Sequence, residues 1–165
     1  MKKYAKFAII PIVIIAIIVV IILMNGNPSY VDTINSKELL SNAVASFETD
    51  GGYNVLDDDV ILMFSDDDLP YLRDYSVIKS KATKNINEIG VFRVEDGKAE
   101  DMKAIVQKYL AAKQENYRNM DYFPEEIEKI DFATVKVFGN YVAYSFLNES
   151  DTEAFYNSIE KQIKE

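Results

Sequence analysis

The sequence predicts an α+β protein: one N-terminal transmembrane helix, then a four-stranded antiparallel sheet built from two hairpin-helix units, with helices packed mainly on one face. Three observations predict it. Phe7 to Met24 carries no charge and one non-apolar residue, Pro11. After Leu72 the hydrophobic period runs strand, strand, helix, short helix, strand, strand, helix. Between the last two strands stands Gly139-Asn140, a two-residue loop of the Gly-x type that suits a II′ turn.

The apolar run comes first. At ~1.5 Å per residue it extends about 27 Å, close to the hydrocarbon thickness of a bilayer. Pro11 lies one turn inside, where its missing N–H costs little. Lys2, Lys3 and Lys6 precede the run, and the next basic residue is Lys37. The positive-inside bias puts the N-terminus in the cytoplasm and the rest outside the cell membrane. A cleaved signal peptide is the competing reading. Its core is usually shorter, and Leu23-Met24-Asn25-Gly26 is a poor cleavage site. The expected division is a basic tail at 1–6, a signal anchor at 7–24, a linker at 25–35 and an extracytoplasmic domain at 36–165.

The domain opens with a helix at Asn35 or Ser36. Asn35 and Glu38 form a capping pair, and Leu39, Leu40, Ala43, Val44 and Phe47 make one apolar stripe. Asp57-Asp58-Asp59 caps a short helix containing Val60, Ile61 and Phe64, and Asp66-Asp67-Asp68 starts a further helical turn. Asp74–Ser80 and Glu88–Glu95 alternate as strands. The second carries Ile89 and Val91 on one face, and Phe92 and Val94 on the other. Ala99 to about Asn116 is a long helix with Met102, Ile105, Val106, Tyr109 and Leu110 at helical spacing. Pro124 begins a short helix, with Glu125 and Glu126 in its first turn. Phe132–Phe138 and Tyr141–Phe146 form the hairpin, and Ser150 with Glu153 forms a capping box for the last helix.

Charge and composition exclude several functions. All 27 acidic residues follow Met24, against 15 of the 18 basic ones, so the outer part carries −12. Such a domain does not hold nucleic acid by neutralising phosphates. A basic protein or peptide suits it better, and the lipid bilayer is met only through Phe7–Met24. There is no His and no Cys. The commonest catalytic base, the commonest zinc ligand and every Ser-His or Cys-His nucleophile are therefore absent. The aspartate runs lack the spacing of an EF-hand loop, and consecutive aspartates on a helix start point apart; they read as caps. Ser36-Lys37 and Ser80-Lys81 are adjacent pairs, which point apart in regular structure. No carboxylate pair is singled out, and Gly51-Gly52 lacks the lysine and the strand-helix context of a phosphate loop. No cofactor and no metal are expected.

Two features remain. Glu88 opens a strand among apolar residues, so it is either a rim residue or a buried, partnered carboxylate and site candidate. Ten of the eleven tyrosines follow Met24; these rings read chiefly as caps on the edges of a small core, with Tyr122-Phe123-Pro124 next to the Gly139-Asn140 hairpin as the candidate exposed aromatic patch.

Glu88-Ile89-Gly90-Val91-Phe92, the long helix ending near Gln114 to Tyr117, Asp121-Tyr122-Phe123-Pro124-Glu125-Glu126 and Gly139-Asn140-Tyr141-Val142 share an order with a known pattern. From Leu39 to Glu165 the chain resembles domain-of-unknown-function family 4358, short extracytoplasmic domains of Gram-positive bacteria. Many relatives carry a lipobox cysteine, whereas this chain has none. The resemblance implies no activity. It adds weight to Glu88, Tyr122, Pro124 and Gly139, and with Tyr141 these are the candidate interaction or structurally critical residues. The expected function is a non-enzymatic, membrane-tethered interaction module outside the cell. The alternatives are a small envelope hydrolase using carboxylates or a Ser-Lys pair, and a weak divalent-cation sensor.

Overall fold

The computed structural model describes residues 28–45, 52–56, 64–65, 69–120 and 124–165. The expected span Phe7–Met24, the aspartate runs and Tyr122 lie outside the described residues. Among those described, no helix is long and apolar enough to cross a membrane.

Helix α1 (Ser36–Val44) is capped by Asn35, whose side chain accepts from the Glu38 N–H at 2.9 Å. Strand β1 is Tyr53–Val55. A 3₁₀ turn at Leu69–Tyr71 leads into β2 (Leu72–Ser80), and β3 is Glu88–Val94. Helix α2 (Ala99–Arg118) buries Met102, Val106 and Leu110 at helical spacing. Helix α3 (Pro124–Asp131), the hairpin β4 (Thr134–Phe138) and β5 (Tyr141–Phe146), and helix α4 (Glu149–Ile163) complete the order. The cap of α4 is Asn148 rather than Ser150. Its side chain accepts from the Asp151 N–H at 2.8 Å, while the Ser150 hydroxyl donates to it at 2.9 Å.

The structure corrects the expected architecture twice. The described sheet has five antiparallel strands, not four, in the order β1-β2-β3-β5-β4. The extra strand is β1, which pairs Tyr53 with Ser80 and Val55 with Ile78. Three residues are too few to show a period of two, so only the pairing reveals it. The helices also cover both faces rather than mainly one. Val77, Phe92, Val94, Val142, Tyr144 and Phe146 meet Met102, Val106 and Leu110 of α2. Ile89, Val91, Tyr141 and Ala143 meet Leu39, Leu40 and Ala43 of α1, and Phe155, Ile159 and Ile163 of α4. The reason is that β3 and β5 are central. All of β5 and all but one residue of β3 are buried, and a strand apolar on both sides needs a layer on each.

From Ser29 onward the stretch before α1 is bonded to the domain. Val31 N–H donates to Ile163 O at 2.8 Å, and Glu165 N–H donates to Ser29 O at 3.1 Å. Gly139 has φ +58, as the two-residue hairpin requires, and a Cβ there would come within 3.1 Å of Tyr30 Cβ.

Gly90 is the tightest point of the central pair. A Cβ on it would overlap the Tyr144 ring and come within 2.8 Å of Val77 Cγ2. Gly90→Ala is therefore expected to lower stability by about 1–3 kcal/mol through overpacking. Denaturant unfolding, read as a fall in the midpoint at unchanged slope, checks it.

Candidate functional site

Glu88 is the first residue of β3 and faces α2, and it is fully buried. A buried carboxylate is tolerated only with partners. One comes from the sheet. Tyr144 pairs with Gly90 across β3 and β5, and the missing side chain at Gly90 lets its ring lie over β3. Its hydroxyl donates to Glu88 Oε1 at 2.8 Å. Two more come from α2, where Tyr109 and Lys113 sit one turn apart on the same face. The Tyr109 hydroxyl donates to Oε1 at 2.6 Å, and Lys113 forms a charged hydrogen bond with Oε2. The Lys113 ammonium also lies 4.7 Å from the Tyr109 ring centroid.

An aromatic row continues the cluster across the sheet. Tyr75 stacks on Phe92 at 6.1 Å, Phe92 on Tyr144 at 6.0 Å, and Tyr109 meets Tyr144 edge-on at 5.9 Å. Burial, with the Glu88 charge adding to it, raises the Tyr109 phenol and raises that of Tyr144 well above its ordinary value. Burial lowers the Lys113 ammonium, against the pull of Glu88. Both phenols are thus kept as neutral donors. The arrangement fixes a carboxylate between a strand and a helix, with its accepting atoms turned to groups of the protein itself.

A second polar cluster lies at the opposite end of the sheet. Arg93 Nε donates to Asp74 Oδ2 at 2.8 Å, and Asp74 Oδ1 accepts the Ser36 N–H at 2.8 Å, tying β3 through β2 to the start of α1. Arg73 pairs with Asp32, and with Glu95 at 3.1 Å. Asn140 Nδ2 donates to Asp32 at 3.0 Å and to Asp96 at 2.6 Å. Among the described residues no group of three or more His, Cys, Asp or Glu is arranged to hold a metal ion.

The sequence candidates among the described residues do not converge. Glu88 is in the first cluster. Gly139 is in the turn beside Tyr30 at the other end. Tyr141 is buried on the α1–α4 face and donates to Ile34 O at 2.7 Å. Pro124 opens α3. That helix sits at the Glu88 end, because Glu126 accepts the Ile86 N–H at 2.8 Å and Gln114 donates to Ile130 O at 2.7 Å. The end of α2 and the start of α3 are therefore at the opposite end of the sheet from the Gly139-Asn140 hairpin, while Tyr122 and Phe123 of the candidate patch lie outside the described residues. Sequence reasoning missed Tyr109, Lys113 and Tyr144 as partners of Glu88. The available signal was Tyr109 and Lys113 at i, i+4, with a lysine next to an otherwise buried face.

Residues 68–147 match the sequence model of a family described as a domain of unknown function, DUF4358. The expected resemblance is thus found over those residues, a narrower stretch than Leu39 to Glu165. The DUF4358 segment contains Glu88, Gly90, Tyr109, Lys113 and Tyr144, and it ends before α4. No curated protein and no solved structure matches the chain.

Two outcomes follow from the cluster. Glu88→Gln keeps the shape but removes the charge facing Lys113, so it is expected to cost about 1.5–3 kcal/mol, measured by denaturant unfolding. The tyrosines set the alkaline limit. Burial pushes Tyr53 and Tyr156 up to about 12, and raises Tyr109 and Tyr144 too, from an ordinary 10.0. Below pH 10 both folded and unfolded chains hold these protons. Above it the unfolded phenols ionise first, so the folded state is the proton-richer one and stability falls. Lys113 acts in the opposite sense below its ordinary 10.5, but it is one group against four. Unfolding free energy measured from pH 8 to 12 is expected to decline from about pH 10, less steeply in Tyr156→Phe.

Proposed function

We propose that this protein is a non-enzymatic interaction module, held outside the cell membrane by the segment Phe7–Met24 and acting on a basic protein or peptide. The observation that carries the reading is the engagement of Glu88. It is the one carboxylate that the sequence singles out as a site, and in the fold it is bonded internally by Tyr109, Tyr144 and Lys113. A group so enclosed works as a strut for the sheet and α2. The acidity of the outer part is then available for recognition. Exposed carboxylates of Glu95, Asp96, Glu100 and Asp101 gather at the start of α2, each paired with Arg73, Lys98 or Lys103, so a basic ligand would compete with these cations for them. Electrostatic recognition of this kind raises association rates and is screened by salt.

The test uses the full-length protein in neutral lipid vesicles. A lysine-rich peptide is expected to bind, and an acidic peptide of equal length is not. Binding should weaken as salt rises from about 0.05 to 0.5 M, and Glu95→Gln with Glu100→Gln should weaken it further. Hydrolysis of a wall glycan or wall peptide by the wild type, lost in Glu88→Gln at a temperature where that variant is folded, would refute the reading.

A further inference from the structure

Among the described residues, α1 and α4 cover β3 and β5 on one face of the sheet, α1 reaches β2, and β1 is the strand at the edge. Between α1 and the β1–β2 edge is a cleft of about 350 Å³. Leu40 and Val44 of α1, Val55 of β1 and Ile78 of β2 give it aliphatic walls, with the Tyr53 ring beside them. Val55 is 60% exposed, whereas Ile89 and Val91 of β3, on the same face of the sheet, are fully buried. A concave, mostly apolar cleft with few polar groups is the usual form of a small-ligand site.

Lys37 stands at its rim. Lys98, Lys103, Lys113, Lys129 and Lys164 each pair with a carboxylate. Lys37 has no such partner among the described residues, and neither do Lys79, Lys81, Lys108 and Lys161, but of these Lys37 lines the cleft. An apolar wall and an uncompensated cation together select one chemistry. We propose that the cleft binds a single-chain aliphatic carboxylate, its hydrocarbon along Leu40, Val44, Val55 and Ile78 and its carboxylate at Lys37. An alcohol of the same length would bury the same apolar area but leave Lys37 uncompensated. A cationic amphiphile would be repelled by it.

The full-length protein in phosphatidylcholine vesicles is irradiated with a diazirine-bearing decanoate, and adducts are mapped by mass spectrometry of its peptides. Mapping the adducts separates label in the cleft from label taken up through the lipid. Adducts are expected on the peptides holding Leu40 to Val44 and Tyr53 to Val55, competed by decanoate and much less by decanol. Lys37 is exposed, so its replacement leaves folding intact. Lys37→Glu should lower labelling of these peptides about five-fold or more, and Lys37→Arg should retain it. Adducts confined to other parts of the chain, equal competition by decanol, or wild-type labelling in Lys37→Glu would overturn the proposal.

Discussion

The placement of one carboxylate constrains the rest of the molecule. Glu88 is buried where β3 begins, and it is stable there only because Tyr144, Tyr109 and Lys113 reach it. Each partner has a geometric condition. Tyr144 needs Gly90 to be bare so that its ring can cross β3. Tyr109 and Lys113 need α2 to lie over the β3–β5 pair with one face down. A slip of β3 by one residue would turn Glu88 to the apolar face under α1 and α4, away from Tyr109, Lys113 and Tyr144. The polar cluster therefore specifies register and helix position, which a purely apolar core leaves looser.

The opposite end of the sheet is held by the same physics in a wetter setting. Arg73, Arg93, Asp32, Asp74 and Asn140 join the segment before α1, the bend at the start of β2 and the last hairpin. These groups are partly exposed, so each pair contributes less than the buried one. Their effect is topological: residues far apart in the chain, such as Asp32 and Asn140, are fixed side by side. The sheet is thus clamped at both ends, by a dry cluster at one and an ionic network at the other. Between α1 and the β1–β2 edge lies the cleft lined by Leu40, Val44, Val55 and Ile78.

Some of this was legible in the chain. The alternation of Ile89 and Val91 with Phe92 and Val94 already showed a strand apolar on both faces, which is the signature of a sheet covered twice. Reading the helices onto mainly one face gave too little weight to that pattern. Glu88 was legible as a carboxylate in an apolar setting, because burial of one residue follows from its immediate neighbours. Its partners were not, because they are 21, 25 and 56 residues away: the i, i+4 spacing puts Tyr109 and Lys113 on one helix face, but nothing local ties that face, or Tyr144, to Glu88. Strand β1 was hidden for a related reason, being defined by its pairing with Ile78 to Ser80 and by no internal period.

By itself the sequence determined the α+β class, the caps at Asn35 and Ala99's long helix, the Gly139 turn, the absence of His and Cys chemistry and the acidity of everything after Met24. These are properties of composition and of intervals shorter than one element. Only the tertiary structure decided the five-strand order, the two covered faces, the ties that hold Glu88 and the cleft beside Lys37. Those depend on which distant residues are brought together, and that is fixed by the summed packing of β3 and β5 rather than by any local stretch.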